Sequence, residues 1–388
     1  LKKPIFLDAA FLTVFVFLFI FLVSVLFPIK LKVFHPIKDA FSDFDYTDFY
    51  FSKLKKKPDV SSDIIVVNIG HLSRAEIAHQ LEVVKSGKPK VIGLDAIFYE
   101  RKDQFSDSLL GQAIKSFPNL VGINKIDSTG TVESFPELAS PISGYGNFYG
   151  DEKPEKVIRY FSLYQLVSKH TPNSFGRAVA QLYDSSTNSI LRLNGRSKMK
   201  INYRHSSSFI TVPSYDLFDP NFNADLFHDK IVLMGYTGQP GNTTDMEDQH
   251  FTPMNSKIAG KSLPDMKGIY IHACIIQSLI DRTYIRNAGI VWEILLTLLF
   301  TFLTAWLIIH YYVHKPRWFH LMSKMVQLFA GVIFLFVSIW IMDVYHVKIN
   351  FTLLFVTLVL CADLVYFYDP LAKWLHKKNW FHSEIMNH

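Results

Sequence analysis

An α/β domain with a mixed, partly parallel sheet, joined to four transmembrane α-helices (one N-terminal, three C-terminal), is the fold class this sequence predicts. Two observations predict it. Long apolar runs gather once near the start of the chain and three times near its end. Between them lie about 250 residues of ordinary globular composition, in which short β-branched runs alternate with segments of helical period.

The first span is residues 9–29, which are 21 residues without a charge, and a second uncharged run of 18 covers residues 325–342. At about 1.5 Å of rise per residue, each is long enough to cross most of a hydrocarbon core roughly 30 Å thick. Two further spans, residues 290–313 and 349–368, carry one acid each near an end, Glu293 and Asp363. The N-terminal span is long and lacks a small-residue cleavage site, so it reads as an uncleaved anchor rather than a signal peptide.

Four spans put both termini on one side and residues 31–287 on the other. Of the 40 Lys and Arg, 30 lie in residues 31–287, where 28 acids nearly balance them. The basic excess therefore sits at the membrane edges. Lys2, Lys3, Lys315, Arg317, Lys324, Lys373, Lys377 and Lys378 mark the termini and the second loop as cytoplasmic. Lys30 and Lys32 point the other way, but a long translocated segment largely escapes that rule. The expected layout is a cytoplasmic stub and helix at 1–30, an extracytoplasmic domain at 31–287, three helices at 288–369 and a cytoplasmic tail at 370–388. Only Cys274 and Cys361 are present, which excludes a disulfide framework within the chain and fits a bacterial cytoplasmic (inner) membrane.

Within the domain, residues 63–70 (DIIVVNIG) predict a buried strand. Ser73 with Glu76 three residues on has capping-box spacing, and Ile77, Leu81 and Val84 recur at helical period to about Lys85. Residues 90–98 (KVIGLDAIF) predict a second strand, completing a βαβ unit with a right-handed crossover. A helix over 107–117 and a strand over 120–124 follow. Weaker signals predict a strand at 157–166, a helix at 175–183 and a strand at 199–203. Residues 230–235 (KIVLMG) form the clearest late strand, and 269–279 must end helical.

Candidate functional residues cluster in the loop 237–253 (TGQPGNTTDMEDQHFTP), which follows a predicted strand, where open α/β sheets present ligands. Asp245, Asp248 and His250 lie there, with Glu247 beside them, and His272 follows further on. These side chains either organise the loop through hydrogen bonds or contact a ligand. No metal or cofactor is expected. Gly235, Gly238 and Gly241 suit tight turns, since no G-x-G-x-x-G or P-loop pattern accompanies them. No nucleophile elbow occurs, and an enzyme is not expected. The basic run at 53–57 (KLKKK) reads as a solvated face, with nucleic acid excluded by compartment. Glu293 and Asp363 are membrane-embedded polar candidates, and with Asp8 they are expected near the lipid headgroups.

The order of these segments resembles the second class of CHASE domain, the cyclase- and histidine-kinase-associated sensory extracellular domain. The resemblance rests on 46–54 (YTDFYFSKL), 64–69, 90–95 (KVIGLD), Gly144, Asn147, 157–159, 201–204 (INYR), 212–216, 230–235, Asp248, His250, Thr252, Pro253 and 268–273 (GIYIHA). It extends over about residues 5–370, with one span before the domain and three after. Asn68, Gly70 and His71 stand where that family is often acidic. Members commonly carry a cyclase or kinase domain after the last span, whereas about 20 residues follow Tyr368.

The resemblance implies a membrane-anchored sensor or binding subunit that relays ligand or partner engagement to a separate membrane or cytoplasmic protein. The alternative is a structural or scaffold subunit of a bacterial envelope complex. Expected partners are the lipid bilayer, such a protein and an unknown small ligand. The tail residues Trp374, Trp380 and Phe381, interleaved with lysines, read as a membrane-surface helix or contact site. Gly331, Ser338 and Thr357 offer small side chains for packing against a partner helix.

Overall fold

The computed structural model describes residues 3–26, 45–56, 59–127, 130–148, 157–164, 172–187, 198–239, 245–255, 263–350, 352–380 and 382–387. The chain divides into two compact units: Leu1–Lys38 with Arg286–His388, and Asp39–Ile285. The first unit contributes α1 (Lys3–Leu26), the most apolar helix of the chain.

The second unit begins with α2 (Tyr46–Phe49), capped by Asp45 and continued as a π-helical turn, Tyr50–Leu54. Its two acids take cations from far along the chain. Asp48 pairs with Arg159 at 2.6 Å and Asp45 with Lys200 at 2.7 Å, all four side chains largely withdrawn from water. Burying an ion costs several kcal/mol, which only close pairing and extra hydrogen bonds offset. Lys200 Nζ supplies one such bond, to Thr47 Oγ1 at 2.8 Å.

The elements then run β1 (Ile64–Asn68), α3 (Arg74–Ser86), β2 (Val91–Leu94), α4 (Gln104–Lys115), β3 (Leu120–Asp127), β4 (Gly130–Val132) and β5 (Ile142–Tyr145). They continue β6 (Tyr160–Ser162), α5 (Phe175–Tyr183), β7 (Lys198–Lys200), β8 (Ile210–Val212), β9 (Ile231–Gly235), β10 (Gln249–His250), β11 (Met266–Lys267) and α6 (Gly268–Ile280). Across the main sheet the order is β5, β3, β2, β9, β1, β8, all parallel. β4 adds antiparallel to the end of β3, which makes the sheet mixed.

β1, β2 and β9 are apolar at nearly every position because helices cover both faces. On one face Ile65, Val67, Ile92, Leu94, Val232 and Met234 pack with Ile77, Leu81 and Val84 of α3 and Leu110 and Ile114 of α4. On the other, Gly93 lies under Phe175 and Val179 of α5, and Gly235 under Ile269 of α6. The Ser73–Glu76 capping box forms as the spacing predicts. α4 starts three residues before the predicted 107 because Asp103 caps it, accepting from the Ser106 N–H at 2.8 Å. Only Tyr160–Ser162 of the strand expected at 157–166 is laddered, and 165–166 lie outside the described residues. The strand expected at 199–203 is Lys198–Lys200, since its one ladder partner is the short β6.

In the first unit, β12 (Arg286–Asn287) precedes α7 (Ile290–His314), which is followed by α8 (Phe319–Tyr345), β13 (Val347–Lys348) and α9 (Thr352–Lys377). Four helices here are long and apolar enough to cross a membrane. They pack on Leu12, Val16, Ile308, Ile309, Cys361, Val365 and Tyr368, while Phe21, Leu299, Phe336 and Phe367 stay exposed, as suits lipid contact. Polar groups stitch the interior. Thr301 Oγ1 donates to Thr357 Oγ1 at 2.8 Å, and Gln327 Nε2 donates to the Leu358 carbonyl at 2.8 Å. Gly331, Ser338 and Thr357 are therefore not partner-facing spots: all three are buried inside this unit's own bundle. Asp8 meets protein rather than solvent. It is fully buried and accepts from Tyr368 Oη at 3.0 Å, Ser383 Oγ at 2.8 Å and the Glu384 N–H at 2.9 Å.

Candidate functional site

All six parallel strands bring their carboxyl ends to one edge. After β1 and β2 the chain leaves toward the face of α3 and α4, whereas after β9, which lies between them, it turns to the face of α6. Such divergence opens a crevice at the carboxyl edge, the usual place for a ligand in open α/β sheets.

Asn68 ends β1 and ties two loops together. Its Nδ2 donates to the Gly238 carbonyl at 2.9 Å, and its Oδ1 accepts from Gly70 N and Thr237 N, each at 3.0 Å. A carboxylate cannot make the first of these bonds, which gives the amide at this position a structural reason.

Asp245 is the most heavily bonded acid of the loop. It accepts from Tyr236 Oη at 2.5 Å and from Glu247 N at 3.0 Å, and it pairs with the nearly buried Lys267 at 3.1 Å. The tyrosine bond, then the backbone N–H and the lysine, hold its carboxyl well below the ordinary range. Lys267 Nζ also donates to the carbonyls of Asp245 and Glu247, which fixes the loop path.

Asp248 adopts positive φ, +51°, and aims its carboxylate at the start of α6. Oδ2 accepts from Gly268 N at 3.0 Å, while Oδ1 lies 3.2 Å from His250 Nε2. A Cβ on Gly268 would meet Oδ2 at 2.7 Å, so any larger residue there would push the Asp248 carboxylate aside. The His250 ring meets Phe148 at 5.2 Å. His272, one turn into α6, is 4% exposed and sits between Phe148 at 4.6 Å and Phe175 at 5.1 Å. Its Nδ1 is buried with no hydrogen-bond partner among the described residues. Burial pushes this imidazole down to about 3, so it is neutral.

The structure adds a residue that reasoning from sequence passed over as part of a strand. Asp95 follows β2 directly and shares the α6 face, its Cβ beside Gly235. No hydrogen-bond donor meets its carboxylate among the described residues, although Asp95 N donates to the Met234 carbonyl at 2.8 Å. Burial first, and then the charge of Asp248, push Asp95 up to about 7, with Lys125 and His250 opposing. It nonetheless keeps accessible surface, so it lies at the carboxyl edge of the sheet rather than in the core. The signal that finds it is an acid placed directly after a buried parallel strand.

The fold thus brings Asp248 and His250 together at the start of α6, with Asp95 within reach of their charges and His272 against the same Phe148 ring as His250, and gives Asp245 to the loop's internal bonding. Glu293 and Asp363 belong to the other unit. Glu293 accepts from Asn350 N at 3.1 Å, and Asp363 lies 3.9 Å from Lys324 with both side chains exposed. Gly241 and Phe381 lie outside the described residues. Among the described residues no group of three His, Cys, Asp or Glu is placed to hold a metal ion. Cys274 is buried, and that burial pushes its thiol up to about 11, away from nucleophilic use.

Comparison with known families matches the CHASE2 domain over residues 33–310, most of the chain. Comparisons with curated proteins and with solved structures gave no match. A sensory domain joined to four apolar helices makes a membrane sensor. On the family match and its extent, the chain belongs to the CHASE2 domain family.

Proposed function

We propose that this chain is an extracytoplasmic sensor of the bacterial cytoplasmic membrane, with both termini cytoplasmic, that takes a small ligand at the carboxyl edge of its sheet. Asp95 is the observation that carries the reading: a partly buried carboxylate at the topological switch point, left without a donor among the described residues and within reach of the charges of Asp248 and His250. A polar group withdrawn from water and left unpaired calls for an explanation, and acids shifted in this way cluster at functional sites. Engagement there is relayed through the helices to a separate protein.

A second reading, a scaffold subunit of an envelope complex, draws on one feature. Trp374 and Trp380 are exposed, 51% and 73%, and meet edge to face at 6.1 Å beside Lys377 and Lys378. Aromatic rings interleaved with lysines suit a membrane surface or a protein contact. Deleting the tail is not a clean test, because Ser383 and Ile385 are buried in the bundle. Trp374→Ser with Trp380→Ser is.

The experiment is affinity purification of the full chain from its native membranes in mild detergent, followed by mass spectrometry. The sensor reading expects one defined partner that survives salt. A partner retained by the parent and lost with the double tryptophan variant favours the scaffold reading. A chain that purifies alone and still complements a knockout overturns both.

A further inference from the structure

We propose that the seam between α8 and α9 is the interface through which two copies of this chain pair in the membrane, Lys324 of each meeting Asp363 of the other. The pairing goes beyond the sensor reading and holds whichever way the bundle is oriented in the bilayer.

Along that seam α8 presents His320, Lys324 and Gln327 and α9 presents Val359, Asp363 and Tyr366, spaced four and then three residues apart, so each set lies on one helical face. They meet in pairs. His320 Nε2 lies 3.4 Å from Tyr366 Oη, Lys324 Nζ lies 3.9 Å from Asp363 Oδ1, and Gln327 Nε2 donates to the Val359 carbonyl at 3.1 Å. The charged pair is the unsatisfied one. At 3.9 Å it is beyond hydrogen-bond reach, neither side chain has a hydrogen bond among the described residues, and the two are 62% and 64% exposed.

Lys324 stands six residues from Trp318 and Asp363 eleven from Trp374, about 9 Å and about 16 Å along their helix axes from the exposed indoles at that end of the bundle. Indoles favour the headgroup level, so the pair lies inside the hydrocarbon. Charges at such depth almost always turn into a bundle and pair there, because lipid offers them no partner. This pair faces outward instead. Elsewhere in the same bundle Thr301 finds Thr357, and Asp8 finds three donors.

A second copy supplies the missing partners by symmetry. Two copies facing each other across a two-fold axis along the membrane normal set α8 of each against α9 of the other. Lys324 and Asp363 share one depth, so both cross-pairs form at once and the four charges alternate around the axis. Leu328, Phe355 and Val359 are exposed and add apolar contact. Other occupants fit less well. Lys324 is long enough to reach toward the headgroups, but that strands Asp363, whose side chain is too short to follow. An unrelated helix would have to bring a cation and an acid in matching order at matching depth, which a copy of this chain brings by construction.

The test is co-purification, in mild detergent, of two differently tagged full-length copies expressed together, using the parent, Lys324→Asp and Asp363→Lys. The first variant carries two acids at the seam and the second two cations, so neither can repair its own seam or pair with its twin, whereas the two variants complement each other. Parent copies are expected to co-purify, each variant with itself to lose at least about tenfold of that recovery, and the mixed pair to regain it. Parent copies that purify singly, variants that self-pair as well as the parent does, or a mixed pair that stays apart overturns the proposal. If a variant fails to insert, cross-linking of the otherwise unaltered chain decides, the native cysteines being buried. A short bismaleimide applied to native membranes is then expected to join copies carrying Val359→Cys and to leave copies carrying Leu299→Cys of α7 single. Any other pattern, including a Val359→Cys adduct with a different membrane protein in place of a second copy, overturns it.

Discussion

Asp95 and His272 give the domain opposite responses to pH. Asp95 titrates at about 7 in the folded chain against an ordinary 3.8, so between those values the native state holds a proton the unfolded chain has lost. Its contribution is present below 3.8 and fades as pH rises through about 7. His272 titrates at about 3 against 6.5, so its contribution is present above 6.5 and fades as pH falls toward about 3. Asp95→Asn isolates one of the two. The variant is expected to gain on the parent in thermal midpoint as pH rises from about 4 to about 7, and to hold that lead above it; a lead independent of pH would refute the assignment. Arg159 supplies a second test. Removing it leaves Asp48 buried and unpaired, so Arg159→Ala should cost about 3–5 kcal/mol in denaturant unfolding of the full chain, with part regained in the double variant with Asp48→Asn.

Among the elements, strands β1, β2 and β9 and helix α3 were legible because their signals are local. Continuous β-branched runs announce strands buried on both faces, and the Ser73–Glu76 box fixes where α3 begins. β6 and β7 were over-extended because two short strands pair only with each other, which no periodicity reveals. The loop 237–253 was legible as a candidate, yet Asp95 was hidden by sitting at the end of a strand whose burial explained every neighbour. The ion pairs of α2 were hidden by distance: Asp48 and Arg159 stand 111 residues apart. Tight packing between elements was equally invisible. Gly144 of β5 leaves no room for a methyl group, whose carbon would lie 2.6 Å from Phe175 N. Backbone cannot yield as a side chain can, so Gly144→Ala is expected to destabilise by roughly 1–3 kcal/mol, read as a lowered urea midpoint with unchanged slope.

For the whole molecule, the orientation in the membrane decides whether the carboxyl edge of the sheet meets the outside. Ser108 of α4 and Lys378 beyond α9 are both exposed, and the native cysteines are buried, so cysteines placed there report cleanly. An impermeant maleimide applied to spheroplasts is expected to label Ser108→Cys and to spare Lys378→Cys until the membrane is opened. The reverse pattern would place the domain inside and remove the sensor reading with it.

The position of β9 between β1 and β2 carries a consequence for how the chain is made. Those two early strands are never neighbours, so each exposes an unpaired edge until a segment about 170 residues after the start of β1 arrives to join them. A ribosome adding about 5–20 residues per second leaves that gap open for roughly 10–30 s. Throughout that interval the apolar runs of β1 and β2 are templates for the wrong neighbour. The sheet cannot close before β9 is made, so the nascent domain is expected to be most prone to mispairing with its copies in that interval.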